Sequence, residues 1–213
     1  MGELRLSRPG DEKTLKALWK DVFGDGEAFI ELFFREVYTP GMAAVAAEDG
    51  KIVSAAYAVP FGEALYIYAV GTRAEYRGRG LGKAVTLLAA GGRAAYLCPA
   101  EPSLFGWYQR EMGAEPVSRR APAAPPEKLA EISPEEYRAR REAMLSGVPH
   151  AAYSDGILKL FSLSGGFFAG EDGSLWAMED GRVHEALPPS PGGEPYILGI
   201  NGAGPIYWGL TLA

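Results

Sequence analysis

The feature that most constrains this chain is a glycine-rich turn between an apolar strand pattern and an apolar helix pattern. Residues 65–70 predict a strand, the turn Arg77-Gly78-Arg79-Gly80-Leu81-Gly82 follows, and a helix with one apolar face is predicted from Gly80 onward. A helix N-terminus offers unpaired N–H groups and the positive end of its dipole, and glycines let a ligand approach the backbone without a Cβ in the way. The turn therefore predicts a site for a phosphate-bearing ligand.

Two other kinds of phosphate-binding turn do not fit this segment. A Walker A loop needs a glycine where Arg77 stands and a Ser or Thr where Ala84 stands. A dinucleotide-binding fingerprint that begins at Gly78 needs its third glycine where Lys83 stands. Residues 73–93 carry five basic residues against one acid, although the net charge of the chain is -6. A local positive excess in an acidic protein favours a small anionic ligand over a nucleic acid.

The turn carries the pattern R-x-x-G-x-G after a strand and an aromatic residue at Tyr76. In this it resembles the acetyl-CoA loop of the GNAT superfamily of acyl-CoA N-acyltransferases. Leu97-Cys98-Pro99 followed by Trp107-Tyr108 and Gly113 looks like the second motif of that family, and the order of predicted elements is similar through about Val117. The wider pattern resembles the multi-domain branch related to the enhanced-intracellular-survival aminoglycoside acetyltransferases, in which a second, degenerate half follows the catalytic one.

The resemblance implies acetyl-CoA as cosubstrate, no metal, and a defined set of binding residues. The residues that it assigns to cofactor binding are Val70, Gly71, Thr72, Arg77, Gly78, Arg79, Gly80, Leu81 and Gly82. The backbone of the first three would bind the pantetheine arm and polarise the thioester carbonyl. The other six form the turn that would hold the pyrophosphate.

The resemblance also implies that Tyr108 protonates the departing thiolate as a general acid. Gly113 follows Tyr108 by five residues where the family usually has four, and Ala114 stands where the family usually has Phe. One extra residue rotates a helix by about 100°, so a core aromatic is the other interpretation of Tyr108. Some members carry a glutamate base on the third strand, where this chain has Tyr66.

The implied reaction moves an acetyl group to the primary amine of a small molecule or peptide by direct attack in a ternary complex. The sequence leaves the base open among Glu101, Glu63, a chain of waters and the terminal carboxylate of Ala213. A second class of function is also left open, namely a catalytically degenerate acyl-CoA-binding or interaction module that keeps the loop.

The predicted fold class is α/β, with three stretches along the chain. Residues 1–118 predict a GNAT-type mixed sheet with flanking helices, residues 119–132 a linker rich in Pro and Ala, and residues 133–213 a smaller, degenerate GNAT-like half-domain of helix plus β-sheet. In the first stretch, helices are predicted around 15–23, 30–37 and from Ser103, and strands at 42–47, 51–59 and 94–97. In the last, Ser133 begins a helix with a capping box, and strands are predicted at 157–163, 167–169, 174–178, 183–187, 196–200 and 206–212.

Hydropathy and the few cysteine and histidine residues bear on where the protein acts and what it binds. No apolar run has the length of a membrane span, and the N-terminus lacks the apolar stretch of a secretory signal. With a single cysteine, Cys98, this predicts a cytoplasmic protein with no membrane partner. His150 and His184 lack metal-ligand spacing, and Cys98 is expected to be a buried structural thiol. No nucleic-acid partner is expected, and homo-oligomer formation is left open.

Overall fold

Eleven strands and six α-helices form residues 2–212, the part of the chain that the computed structural model describes. The strands are β1 (Glu3–Leu6), β2 (Ala43–Glu48), β3 (Lys51–Phe61), β4 (Ala64–Thr72), β5 (Ala95–Leu97), β6 (Glu115–Arg120), β7 (Leu129–Glu131), β8 (Gly165–Gly170), β9 (Leu175–Glu179), β10 (Arg182–Leu187) and β11 (Glu194–Ile200). The helices are α1 (Glu12–Phe23), α2 (Glu27–Glu36), α3 (Leu81–Ala90), α4 (Pro102–Met112), α5 (Pro134–Met144) and α6 (Asp155–Phe161). None of these helices has the length and apolar character that crossing a membrane requires.

Seven strands form the larger sheet, in the order β1-β2-β3-β4-β5-β11-β6. Neighbouring strands are antiparallel except β4 and β5, which run parallel and, within the described residues, pair only at Tyr66 and Tyr96. Parallel neighbours need a crossover connection, and α3 supplies it. Because β4 and β5 share no further pairing, their C-terminal ends diverge and leave a gap in the sheet.

Helices cover both faces of this sheet because each carries one apolar stripe. Along β3, residues 55, 57 and 59 join one buried cluster while residues 56 and 58 join another, as the alternation of a strand requires. The first cluster receives Leu15, Leu18 and Trp19 of α1, and the second receives Val85 and Ala89 of α3. The predicted α/β fold, a mixed sheet with flanking helices followed by a smaller sheet, is confirmed.

The smaller sheet has the order β10-β9-β8-β7 and is antiparallel throughout. From it the chain returns to the larger sheet, where β11 pairs with both β5 and β6. Residues from α1, from the smaller sheet and from the C-terminal segment 206–212 share one buried cluster. Trp208 packs there on Phe61, Tyr66 and Tyr96, with ring centroids 5.1, 5.0 and 5.5 Å apart. The division into 1–118, 119–132 and 133–213 stays a prediction.

Two strands predicted in the second half are wrong. Residues 157–161 belong to α6, where the Ser154 hydroxyl accepts a hydrogen bond from the Ile157 N–H at 3.3 Å and caps the helix. A short run of buried apolar residues has no period that separates a strand from a helix. Residues 206–212 form no strand and contribute one isolated bridge, from Tyr207 to His150.

Strands β1, β6 and β7 were not predicted, and α4 begins at Pro102 with Glu101 as its N-cap. β6 and β7 lack the apolar alternation by which strands are recognised, whereas β1 alternates over only four residues, with Leu4 and Leu6 exposed. The last two residues of β6 and all of β7 lie within the stretch 119–132 that was expected to be a linker.

A buried ion pair connects the second half of the chain to its C-terminal segment. The Glu185 carboxylate accepts hydrogen bonds from Arg141 Nε at 3.0 and 3.1 Å, from the Tyr137 hydroxyl at 2.8 Å and from the Tyr153 hydroxyl at 2.9 Å. Both charged side chains are fully buried. The N–H of Leu210 donates to the Tyr153 hydroxyl at 2.7 Å. This cluster thus links α5 and β10 to residues 206–212.

Candidate active site

The glycine-rich turn lies, as predicted, between a strand and the N-terminus of a helix. Gly78 and Gly80 have φ angles of 74° and 75°, in the left-handed region that favours glycine. Gly80 is the N-cap of α3, and the N–H groups of Leu81, Gly82 and Lys83 in its first turn have no acceptor within the helix. A Cβ placed on Gly80 would meet no atom within 4 Å. The turn therefore presents N–H donors beside open space.

A groove of about 690 Å³, which we call the outer groove, extends from this turn to α4. Nine of the ten residues predicted for the site line it, namely Val70, Gly71, Thr72, Arg77, Gly78, Gly80, Leu81, Gly82 and Tyr108. The tenth, Arg79, does not line the groove. Its guanidinium donates to Glu48 at 3.2 Å and lies 5.4 Å from the centre of the Tyr76 ring.

Acidic residues from other elements neutralise most of the positive charge around the turn. Ion pairs join Arg73 to Asp21, Arg79 to Glu48 and Lys83 to Glu111. Arg77 forms no ion pair within residues 2–212 and donates from Nε to the carbonyl of Thr72 at 3.2 Å. Of the four basic residues at the turn, Arg77 is thus the one without a carboxylate partner among the described residues, and Arg93, the fifth of the stretch, lies beyond the C-terminal end of α3.

Close packing against α1 favours glycine at position 71, which also lines the outer groove. A Cβ at this position would lie 3.0 Å from two ring atoms of Phe23 and 3.1 Å from Val22 Cγ1. Contacts this short would require Phe23 and Val22 to shift by a few tenths of an ångström, so the absence of a side chain at residue 71 lets α1 pack closely on β4.

Strand β4 contains a bulge beside the outer groove. Ala55 pairs with Gly71 and Tyr57 with Tyr68, so two β4 residues, Ala69 and Val70, lie opposite one residue of β3. Ala69 has a φ of 47°, a left-handed conformation that costs a residue with a Cβ roughly 1–2 kcal/mol. A bulge leaves its extra residue outside the ladder and redirects the backbone. No signal marks it in the sequence, because Ala69 stands in an ordinary apolar run.

A second space, the inner cavity, occupies the gap between the diverging ends of β4 and β5. Its volume is about 390 Å³, and it shares with the outer groove the residues Phe23, Val70, Ala100, Leu104 and Tyr108. Its other aromatic residues are Trp19, Tyr66 and Tyr68, and Thr211 and Leu212 of the C-terminal segment also line it. Asp25 is the one charged residue among the described residues that line this cavity. Asp25 is not among the site residues predicted from the sequence.

Tyr108 lies where the two spaces meet. Its side chain is buried, and burial, with a smaller contribution from Cys98, raises its pKa to about 12. The N–H of Ala114 donates to the Tyr108 carbonyl at 3.4 Å as α4 ends at Gly113. The unusual spacing to Gly113 therefore does not turn Tyr108 away from the site. Burial also raises the pKa of the Cys98 thiol to about 11, so that this group is neutral at physiological pH.

The candidate bases named from the sequence have different positions. Glu101 lines the outer groove, whereas Glu63 lines neither space. The carboxylate of Ala213 lies outside the described residues. Tyr66 lines the inner cavity, and burial raises its pKa well above the usual value. Within residues 2–212, no group of His, Cys, Asp and Glu side chains is placed to hold a metal ion.

Comparison with known proteins gives one family and a common fold. The family model of the acetyltransferase (GNAT) domain matches residues 3–111, just over half of the chain. These residues include the glycine-rich turn, Asp25 and Tyr108. Comparison with curated proteins finds no match.

Solved structures share this architecture at low sequence identity. A GCN5-related N-acetyltransferase from Kribbella flavida has a TM-score of 0.58 and 15% identity, with 89% of this chain and 58% of that chain covered. Eis1 from Mycobacterium abscessus has a TM-score of 0.58 and 15% identity, with 83% and 53% covered. A GCN5-related N-acetyltransferase from Anabaena variabilis has a TM-score of 0.56 and 14% identity, with 87% and 53% covered. The chain spans little more than half the length of these three structures, and the similarity is one of fold.

Proposed function

Because the chain belongs to the GNAT acetyltransferase family, we propose that it transfers an acetyl group from acetyl-CoA to a primary amine in a ternary complex. The expected resemblance to this superfamily is confirmed, and Eis1 extends the likeness in fold to the enhanced-intracellular-survival type. One observation carries the proposal: the outer groove leads from a helix N-terminus into the inner cavity, with Tyr108 where they meet. The acceptor is the amine of a small molecule or peptide, and we expect the enzyme to act in the cytoplasm.

The outer groove suits acetyl-CoA in both size and chemistry. The N–H groups of Leu81, Gly82 and Lys83 would bind the pyrophosphate, because a helix N-terminus stabilises an anion. Arg77 would add a charge-assisted hydrogen bond, since it has no carboxylate partner within the described residues. The backbone of residues 70–72 lines the groove and would bind the pantetheine arm. The cosubstrate would supply the acetyl thioester that the amine attacks.

Two features of the chain would stabilise the transfer itself. The β4 bulge lies beside the junction of the two spaces, because Val70 lines both, and N–H donors fixed there would stabilise the charge that develops on the thioester oxygen. Such donors are often worth about 3 kcal/mol each. Tyr108 would donate its proton to the departing sulfur, and its raised pKa keeps that proton in place at neutral pH.

The binding half of the proposal is tested by Gly80→Asn, which we expect to weaken CoA binding about 10- to 100-fold in calorimetry. Asn adopts the left-handed conformation at small cost, and its side chain would occupy the open space beside the N–H donors. Loss of one or two charge-assisted hydrogen bonds gives this magnitude. Gly24→Asn is the matched control, because Gly24 has φ 73° and ψ 10° against 75° and 5° for Gly80, and it also has open space around its Cβ position.

Equal CoA affinity in both variants would contradict the assignment of the outer groove. The catalytic half of the proposal is tested by measuring the release of free CoA thiol from acetyl-CoA across a panel of amines. A protein that binds CoA through this groove and releases no thiol with any amine would be the degenerate binding module instead.

A further inference from the structure

The inner cavity has the electrostatics of a site for one cationic group. Asp25 follows the C-terminal glycine of α1 and is partly buried. It forms no ion pair within residues 2–212, and the cavity lining described there contains no Lys, Arg or His. A cavity with one uncompensated carboxylate attracts a single positive charge.

The contacts of Asp25 leave part of its carboxylate available to a ligand. Trp19 Nε1 donates to Oδ2 at 2.7 Å and fixes the side chain, while Oδ1 accepts no hydrogen bond from any described residue. Asp25 and Tyr68 line the same cavity, where burial and, to a smaller extent, the charge of Asp25 raise the pKa of the Tyr68 hydroxyl. A residue that served only to satisfy the Trp19 indole would not need to face this space.

Aromatic rings surround the remainder of the cavity. Trp19 lies 5.6 Å from Tyr68 and 5.8 Å from Phe23 between ring centroids, and Tyr66 stacks on Tyr68 at 6.0 Å. Aromatic faces attract a cation electrostatically, and they also favour burial of an apolar body. A second positive charge would be buried here without a carboxylate to neutralise it, at a large cost.

We propose that the inner cavity is the acceptor site and that it selects a primary monoamine with an aromatic or apolar body, whose ammonium group binds to Asp25. This rests on the proposed function. In the overall transfer the amine nitrogen forms a bond to the acetyl carbon while the carbon–sulfur bond breaks. The ammonium group loses two protons in the overall reaction. The sulfur gains one proton, which Tyr108 donates and then recovers, and the other proton is released to solvent. Asp25 determines which amine is bound.

Calorimetry on the full chain with CoA present tests this selection, using phenylethylamine, its uncharged counterpart phenylethanol, and the polycation spermidine. We expect phenylethylamine to bind at least 10-fold more tightly than either of the others. Asp25→Asn should weaken phenylethylamine binding about 10- to 100-fold, to the level of phenylethanol. Asn keeps an acceptor for the Trp19 indole, so thermal unfolding should be unchanged. Glu27→Gln, an exposed acid two residues away that lines neither space, is the control and should bind like the unaltered protein.

Tighter binding of spermidine, equal binding of phenylethylamine and phenylethanol, or unchanged affinity in Asp25→Asn would each overturn the proposal, as would binding of no amine at all. A parallel titration with CoA alone keeps the two proposals separate. If CoA does not bind while the amine selectivity is found, the acetyltransferase function fails and the monoamine site stands.

Discussion

Tyr108→Phe is expected to lower kcat by about 10²- to 10⁴-fold while CoA affinity and thermal stability stay nearly unchanged. The substitution keeps the ring and removes only the hydroxyl that would protonate the leaving sulfur. The ring is buried against Trp107, with centroids 4.9 Å apart, so packing is preserved. The loss should appear in kcat and in kcat/KM alike, because the interaction is made only as the carbon–sulfur bond breaks.

The control for this experiment is Tyr76→Phe, which removes a hydroxyl from another tyrosine of the outer groove. Tyr76 lies beside the glycine-rich turn, away from the junction of the two spaces, and its substitution should leave kcat within a few-fold of the unaltered protein. Comparable turnover in Tyr108→Phe and Tyr76→Phe would make Tyr108 a packing residue, which is the other interpretation that the sequence allowed.

Glu185→Ala is expected to lower the free energy of unfolding by about 3–5 kcal/mol, measured by urea denaturation. Removal of the carboxylate leaves the Arg141 guanidinium buried, and its Nη2 already lacks a hydrogen-bond partner within the described residues. The hydroxyls of Tyr137 and Tyr153 lose their acceptor as well. Arg141 keeps only its ion pair with the partly exposed Glu142, and a buried charge that loses its buried partner is among the largest destabilising effects that one substitution produces.

The double variant Glu185→Leu with Arg141→Met separates charge burial from packing. Since both charges are removed together, it should recover part of the stability that Glu185→Ala loses. A loss below 1 kcal/mol in Glu185→Ala alone would show that the ion pair does not hold the second half of the chain together. Glu194→Ala, at an exposed position of β11, serves as the surface control and should change stability by about 0.5 kcal/mol or less.

The sequence by itself determined the features that depend on residues close together in the chain. The R-x-x-G-x-G turn requires a strand before it and a helix after it, and both are present around Gly80. The spacing of apolar residues predicted α1, α2 and most strands of the larger sheet. Apolar residues recur every three to four positions in a helix and every second position in a half-buried strand, so a window of about ten residues distinguishes the two. The resemblance of two motifs, around residues 70–82 and 97–113, to the GNAT family assigned ten site residues, and nine of them line one groove.

The tertiary structure alone decided what depends on distant segments. Asp25 lines the inner cavity because it follows α1, which packs against β4, and no local pattern distinguishes it from the other acidic residues. Arg79 leaves the groove because Glu48 of β2 attracts its guanidinium. The bulge at Ala69 arises from pairing with β3, and β11 completes the larger sheet although its sequence lies far beyond the first motifs. The spacing of neighbouring residues decides whether a helix or a strand forms. The charges and walls of a site come from segments that are far apart in the chain, so no short stretch of sequence reveals them.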